Sequence, residues 1–104
     1  MDEQDAIREI IRLFEDPKGF LVQLHVHTVF NEQLYREIIE ALSKYLDLLG
    51  DDENINRRVA RFLFDLDLTL EGEAYQFSLR QHPDAQKVSN AHAQTLELLF
   101  KFLP

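Results

Sequence analysis

Along most of this chain apolar residues recur at intervals of three and four, the period of a helix with one buried face. Ala6, Ile7, Ile10, Ile11 and Phe14 make one stripe over residues 2–15, and the stretch "EDPKG" closes it with a proline and a glycine. The broadest pattern spans 32–49, where Leu34, Tyr35, Ile38, Ile39, Leu42, Tyr45, Leu46 and Leu49 share a face. Asn31 stands at the N-cap position of that segment and Gly50 just beyond its end. Glu32 with Arg36 and Glu40 with Lys44 add i, i+4 pairs in the favourable order, each contributing about 0.3 kcal/mol. In the last segment Asp84 follows Pro83, and Val88, Ala91, Thr95, Leu96, Leu99, Phe102 and Leu103 lie on one face, predicting a helix to the end of the chain.

Two stretches match both periods. In "GFLVQLHVHTVF", residues 19–30, a strand would put Val22, Leu24, Val26, Thr28 and Phe30 on one side and Gln23, His25 and His27 on the other. A helix would instead line up Val22, Val26, Val29 and Phe30. Further on, Ile55, Val59, Phe62, Leu63, Leu66, Leu70, Ala74 and Phe77 fit a helix capped by Asp51 or Asp52. Yet Phe64, Leu66, Leu68 and Leu70 alternate with Asp65, Asp67, Thr69 and Glu71 as a strand would. Leucine, alanine and arginine favour the helix, no Asn-Gly hairpin dipeptide is present, and Gly72 alone costs about 1 kcal/mol in a helix. A lone strand at 20–30 would also lack a pairing partner. The sequence therefore predicts an all-α fold, a bundle-like single domain over residues 1–104 with four or five helices. The alternative is α+β, with short strands near 20–30 and 64–79.

Composition narrows the setting. A chain of 104 residues, 45% of them hydrophobic, suits one core. That apolar content also allows a homodimer, with Phe100 and Phe102 near the C-terminus as the candidates to cross between subunits. The absence of cysteine excludes a disulfide scaffold, a thiol nucleophile and cysteine-ligated metal, and it fits a reducing compartment. "MDEQDAIREI" has neither the basic nor the apolar region of a signal peptide, and no apolar run approaches the roughly 20 residues of a membrane span. A soluble cytoplasmic protein is the expectation.

With 11 basic and 19 acidic residues the formal net charge is -8, a sign that repels phosphate backbones and anionic lipid. The expected partner is another protein, of basic character, and neither nucleic acid nor a membrane. Arg57, Arg58 and Arg61 form the only basic cluster and lack the aromatic or glycine companions of a nucleic-acid reader.

Candidate chemistry begins with His25 and His27. On a strand they would share a face and could share a metal, whereas on a helix they point about 200° apart. A zinc or manganese centre needs three or four ligands, so His82, His92, Asp65 or Asp67 would have to complete it, and none stands at a recognisable ligand spacing. Glu37 and Glu40, three apart, share a helix face. This pair resembles the first half of the site in helical magnesium-dependent nucleotide pyrophosphatases. The second half, a glutamate followed three residues later by an aspartate on the next helix, has no counterpart downstream. There is no His-Asp dipeptide, glycine-rich phosphate loop, nucleophile elbow or His-Glu-x-x-His, and nothing calls for a cofactor. The sequence thus predicts a small acidic interaction or regulatory module and not an enzyme. The alternative is a metal-dependent hydrolase of a small phosphorylated substrate, with metal candidates His25, His27, Glu37 and Glu40 and further carboxylates at Asp65 and Asp67.

Overall fold

The computed structural model describes residues 2–102, and among them the chain forms five helices and no strand. They are α1 (Glu3–Glu15), α2 (Phe20–His27), α3 (Glu32–Leu49), α4 (Arg57–Leu79) and α5 (Ala85–Phe102). Both stretches that also fitted a strand are helical, so the α+β alternative is overturned. The reason is visible in α4. Residues two apart on a helix lie about 200° from one another, so Leu66 and Leu70 point into the core while Phe64 and Leu68 point outward. The alternation marks a helix that is apolar on two opposite faces.

Local chemistry sets the helix ends. Asp2 accepts the backbone N–H of Asp5 at 2.8 Å and Asp5 faces back to the Asp2 amide, a capping box for α1. Asn31 caps α3 by accepting from the Leu34 amide, and Gly50 closes it with φ +57°, a conformation that favours glycine. The cap of α4 is Asn56 and not Asp51 or Asp52, which lie in the preceding loop. Asn56 accepts from the amides of Arg58 (2.9 Å) and Val59 (3.2 Å), and its own amide donates to the Tyr45 hydroxyl at 2.8 Å. That last bond gives the buried phenol of α3 a polar partner and anchors the start of α4.

Tertiary packing pairs α4 with α5 through the short turn between them, and lays α1 against α3. The short α2 touches both α1 and α4, and α3 closes on α5. All five helices feed one core, including Ile10, Leu24, Leu42, Leu66, Phe77 and Val88. Phe14 stacks on Phe62 at a centroid distance of 4.8 Å, joining α1 to α4. The Tyr35 hydroxyl donates to the Ala91 carbonyl (2.8 Å) and lies 3.0 Å from the Thr95 hydroxyl, so α3 and α5 meet through a satisfied buried polar group. Phe102, a candidate to cross between subunits, stacks on Tyr45 within the chain at 6.1 Å. Phe100 remains exposed, and Leu103 lies outside the described residues. Among the described residues no helix is long and apolar enough to cross a membrane.

Candidate functional site

Each residue considered for chemistry now has a place. His25, on α2, sets its Nδ1 2.7 Å from Oε1 of Glu73 on α4, a hydrogen-bonded contact whose carboxylate is buried while the imidazole is largely exposed. His27 is on the same short helix, exposed, and two residues further round it. The helical backbone of α2 therefore separates the two rings as a strand would not. Glu37 and Glu40 line a shallow cleft between α1 and α3 together with Glu9 and Lys44, far in character from a dry catalytic pocket. Asp65 is exposed beside Arg61 and the Arg58–Glu15 ion pair. His82 packs against Phe77 at 4.5 Å, and its Nδ1 accepts the Asp84 amide at 3.0 Å, a capping role ahead of α5. Among the described residues the four candidates His25, His27, Glu37 and Glu40 do not come together.

A different group does. Asp67 and Glu71 stand one turn apart on α4, and His92 faces them from α5. A ligand atom from each lies within 4.8 Å of the other two. Asp67 Oδ1 and His92 Nε2 are 3.2 Å apart, yet both atoms are buried and neither has a hydrogen-bond partner. Burying polar atoms without partners is costly. Asp67 and His92 are 25 positions apart in sequence, and only the register of α4 against α5 makes them neighbours. Glu71 was masked by its place in the apparent strand alternation. The available signal was the i, i+4 spacing of Asp67 and Glu71, which becomes informative once the helix is accepted.

The second surface feature is the outer face of α4. Phe64, Leu68, Tyr75 and Leu79 follow one another at helical spacing opposite the core-facing residues, and each is exposed, Leu68 and Tyr75 by 62% and 63%. Gly72 occupies the middle of this stripe, and a Cβ built there meets nothing within 4 Å. Beside it, Val22 and Val26 of α2 extend the apolar surface into a groove floored by Leu68 and Gly72. The Arg80 guanidinium donates to the Thr28 hydroxyl at 3.0 Å, holding the ends of α4 and α2 together.

Comparison with protein-family models, with curated proteins and with solved structures finds no match for this chain.

Proposed function

We propose that the protein is a helical protein–protein interaction module, that its working surface is the outer face of α4, and that the partner seated there is α4 of a second copy. The observation that carries this reading is Gly72. In the middle of a 23-residue helix, glycine costs about 1 kcal/mol relative to alanine. Nothing in the chain's own packing requires the missing side chain, since the space above it is open. A glycine at the centre of an exposed apolar stripe lets another helix approach closely.

The stripe is also self-complementary. Phe64 and Leu68 precede Gly72 by eight and four residues, and Tyr75 and Leu79 follow it by three and seven. An antiparallel second α4 crossing at Gly72 would set Leu68 against the partner's Tyr75 and Phe64 against the partner's Leu79, an isologous contact. At their present exposure, burial contributes about 1 to 2 kcal/mol per side chain. Two stripes therefore supply roughly 8 to 16 kcal/mol, against an association cost of about 4 to 15 kcal/mol. The two ranges overlap, which corresponds to a weak, reversible dimer. The net charge of -8 opposes it and makes it tighter at higher salt.

Light scattering and sedimentation across a concentration series test the reading. The parent chain is expected to reach the dimer mass, and Leu68→Asp and Tyr75→Asp to remain monomeric with unchanged helical circular dichroism. Phe100→Asp, on the exposed side of α5, should leave the dimer intact. A parent chain that stays monomeric at millimolar concentration, or a dimer untouched by Leu68→Asp, overturns the proposal.

A further inference from the structure

We infer that Asp67, Glu71 and His92 form a binding site for a divalent transition-metal cation of the zinc type, which clamps α4 to α5. The inference stands on residues distinct from the stripe of α4 and does not depend on the dimer. Asp67 is only 9% exposed, and its Oδ1 is a buried acceptor without a hydrogen bond, 3.2 Å from an imidazole nitrogen that also lacks one. A carboxylate oxygen and an imidazole nitrogen are both donor atoms to a transition metal. The two atoms are 3.2 Å apart with no hydrogen bond between them, and a cation held by both satisfies both. Tetrahedral ligands bonded at about 2.0–2.1 Å lie roughly 3.3 Å from one another, close to the spacing already present.

Charge points the same way. Without a cation, two carboxylates share a space within 4.8 Å on a chain of net charge -8. A dication would cancel both. Glu71 lies at the exposed edge of the group and can close onto an arriving ion, while Asp67 and His92 form the buried part. The donor set of one imidazole and two carboxylates suits zinc, cobalt or manganese, whereas magnesium and calcium prefer oxygen alone. Three protein ligands leave a coordination position for water. Because the ligands come from both arms of the α4–α5 hairpin, binding stabilises the folded chain by mass action.

Calorimetric titration of metal-stripped protein with zinc chloride, and cobalt absorption spectroscopy, test the site. The expected result is one zinc per chain, a visible cobalt spectrum of four- or five-coordinate character, and a raised melting temperature in excess zinc. Magnesium should give none of these. Asp67→Asn and His92→Gln keep the side-chain volumes and are each expected to weaken zinc binding at least about tenfold. His27→Gln and His82→Gln should not. Absence of stoichiometric binding in the parent, or binding of equal affinity in Asp67→Asn and His92→Gln, overturns the inference and leaves the group as a buried ion pair. Both variants lack the α4 stripe substitutions, so their mass in solution reports separately on the dimer.

Discussion

Gly72→Ala separates what α4 needs for its own fold from what its outer face does. The position lies well inside a continuous helix, and a Cβ there touches no atom within 4 Å, so alanine introduces no clash within the chain. The gain is the difference in helix propensity, about 1 kcal/mol. For a domain of this size that corresponds to a rise in melting temperature of about 4–8 °C. Measured by circular dichroism at submicromolar concentration, where the chain is monomeric, the variant is expected to be the more stable. Association should move the other way. In the proposed dimer a methyl group at the helix crossing would force the two helices apart, at a cost of about 1–3 kcal/mol, so association is expected to weaken roughly 5- to 150-fold. Sedimentation over a concentration series measures that shift. If the dilute variant is less stable than the parent, the helix is not free at Gly72 and the structural premise is wrong. If it is more stable but dimerises as well as the parent, the glycine is not at the contact.

Three further outcomes test other parts of the molecule. Tyr35→Phe removes a buried hydroxyl bonded to the Ala91 carbonyl, while Thr95 keeps its own bond to that carbonyl, so chemical denaturation should show a loss of about 1 kcal/mol and no change in helicity. Burial holds the Tyr35 and Tyr45 phenols above the ordinary tyrosine range. A raised folded-state value means that stability is fully present below the unfolded value of about 10 and is lost as pH rises past it. Absorbance at 295 nm should accordingly show these two tyrosines ionising late and together with unfolding. Early, unfolding-independent ionisation of all three tyrosines would contradict the burial. Finally, His25→Ala strips the partner from the buried Glu73 carboxylate and should cost about 1–2 kcal/mol in urea denaturation. Adding Glu73→Leu should restore most of that loss, and a double variant less stable than the single one would show that the pair matters beyond satisfying Glu73.

The α4 segment matches both periods and reads as helix through its residue propensities. Periodicity alone located α1, α3 and α5 to within a few residues, because the i, i+4 pattern is a local consequence of burying one face of a helix. Asn31 and Gly50 were legible as its punctuation for the same reason, since capping involves only near neighbours. The cap of α4 was not, because Asn56 is chosen partly by the Tyr45 hydroxyl eleven residues earlier. The ambiguous alternation at 64–71 was present in the sequence but silent about its cause. It took the packed fold to show that Leu66 and Leu70 face the core and Phe64 and Leu68 face away.

The candidate site divides along the same line. Sequence determined that the chain is acidic, helical, free of cysteine and equipped with scattered histidines and carboxylates. It offered His25 with His27 and Glu37 with Glu40 as its metal candidates because short spacings are the only ones visible without a fold. The juxtaposition of Asp67 and Glu71 with His92, and of His25 with Glu73, was decided by how α4 settles against α5 and α2. Those registers come from the side-chain packing of Leu66, Leu70, Phe77, Val88 and their neighbours in the core, a collective fit that no local pattern encodes.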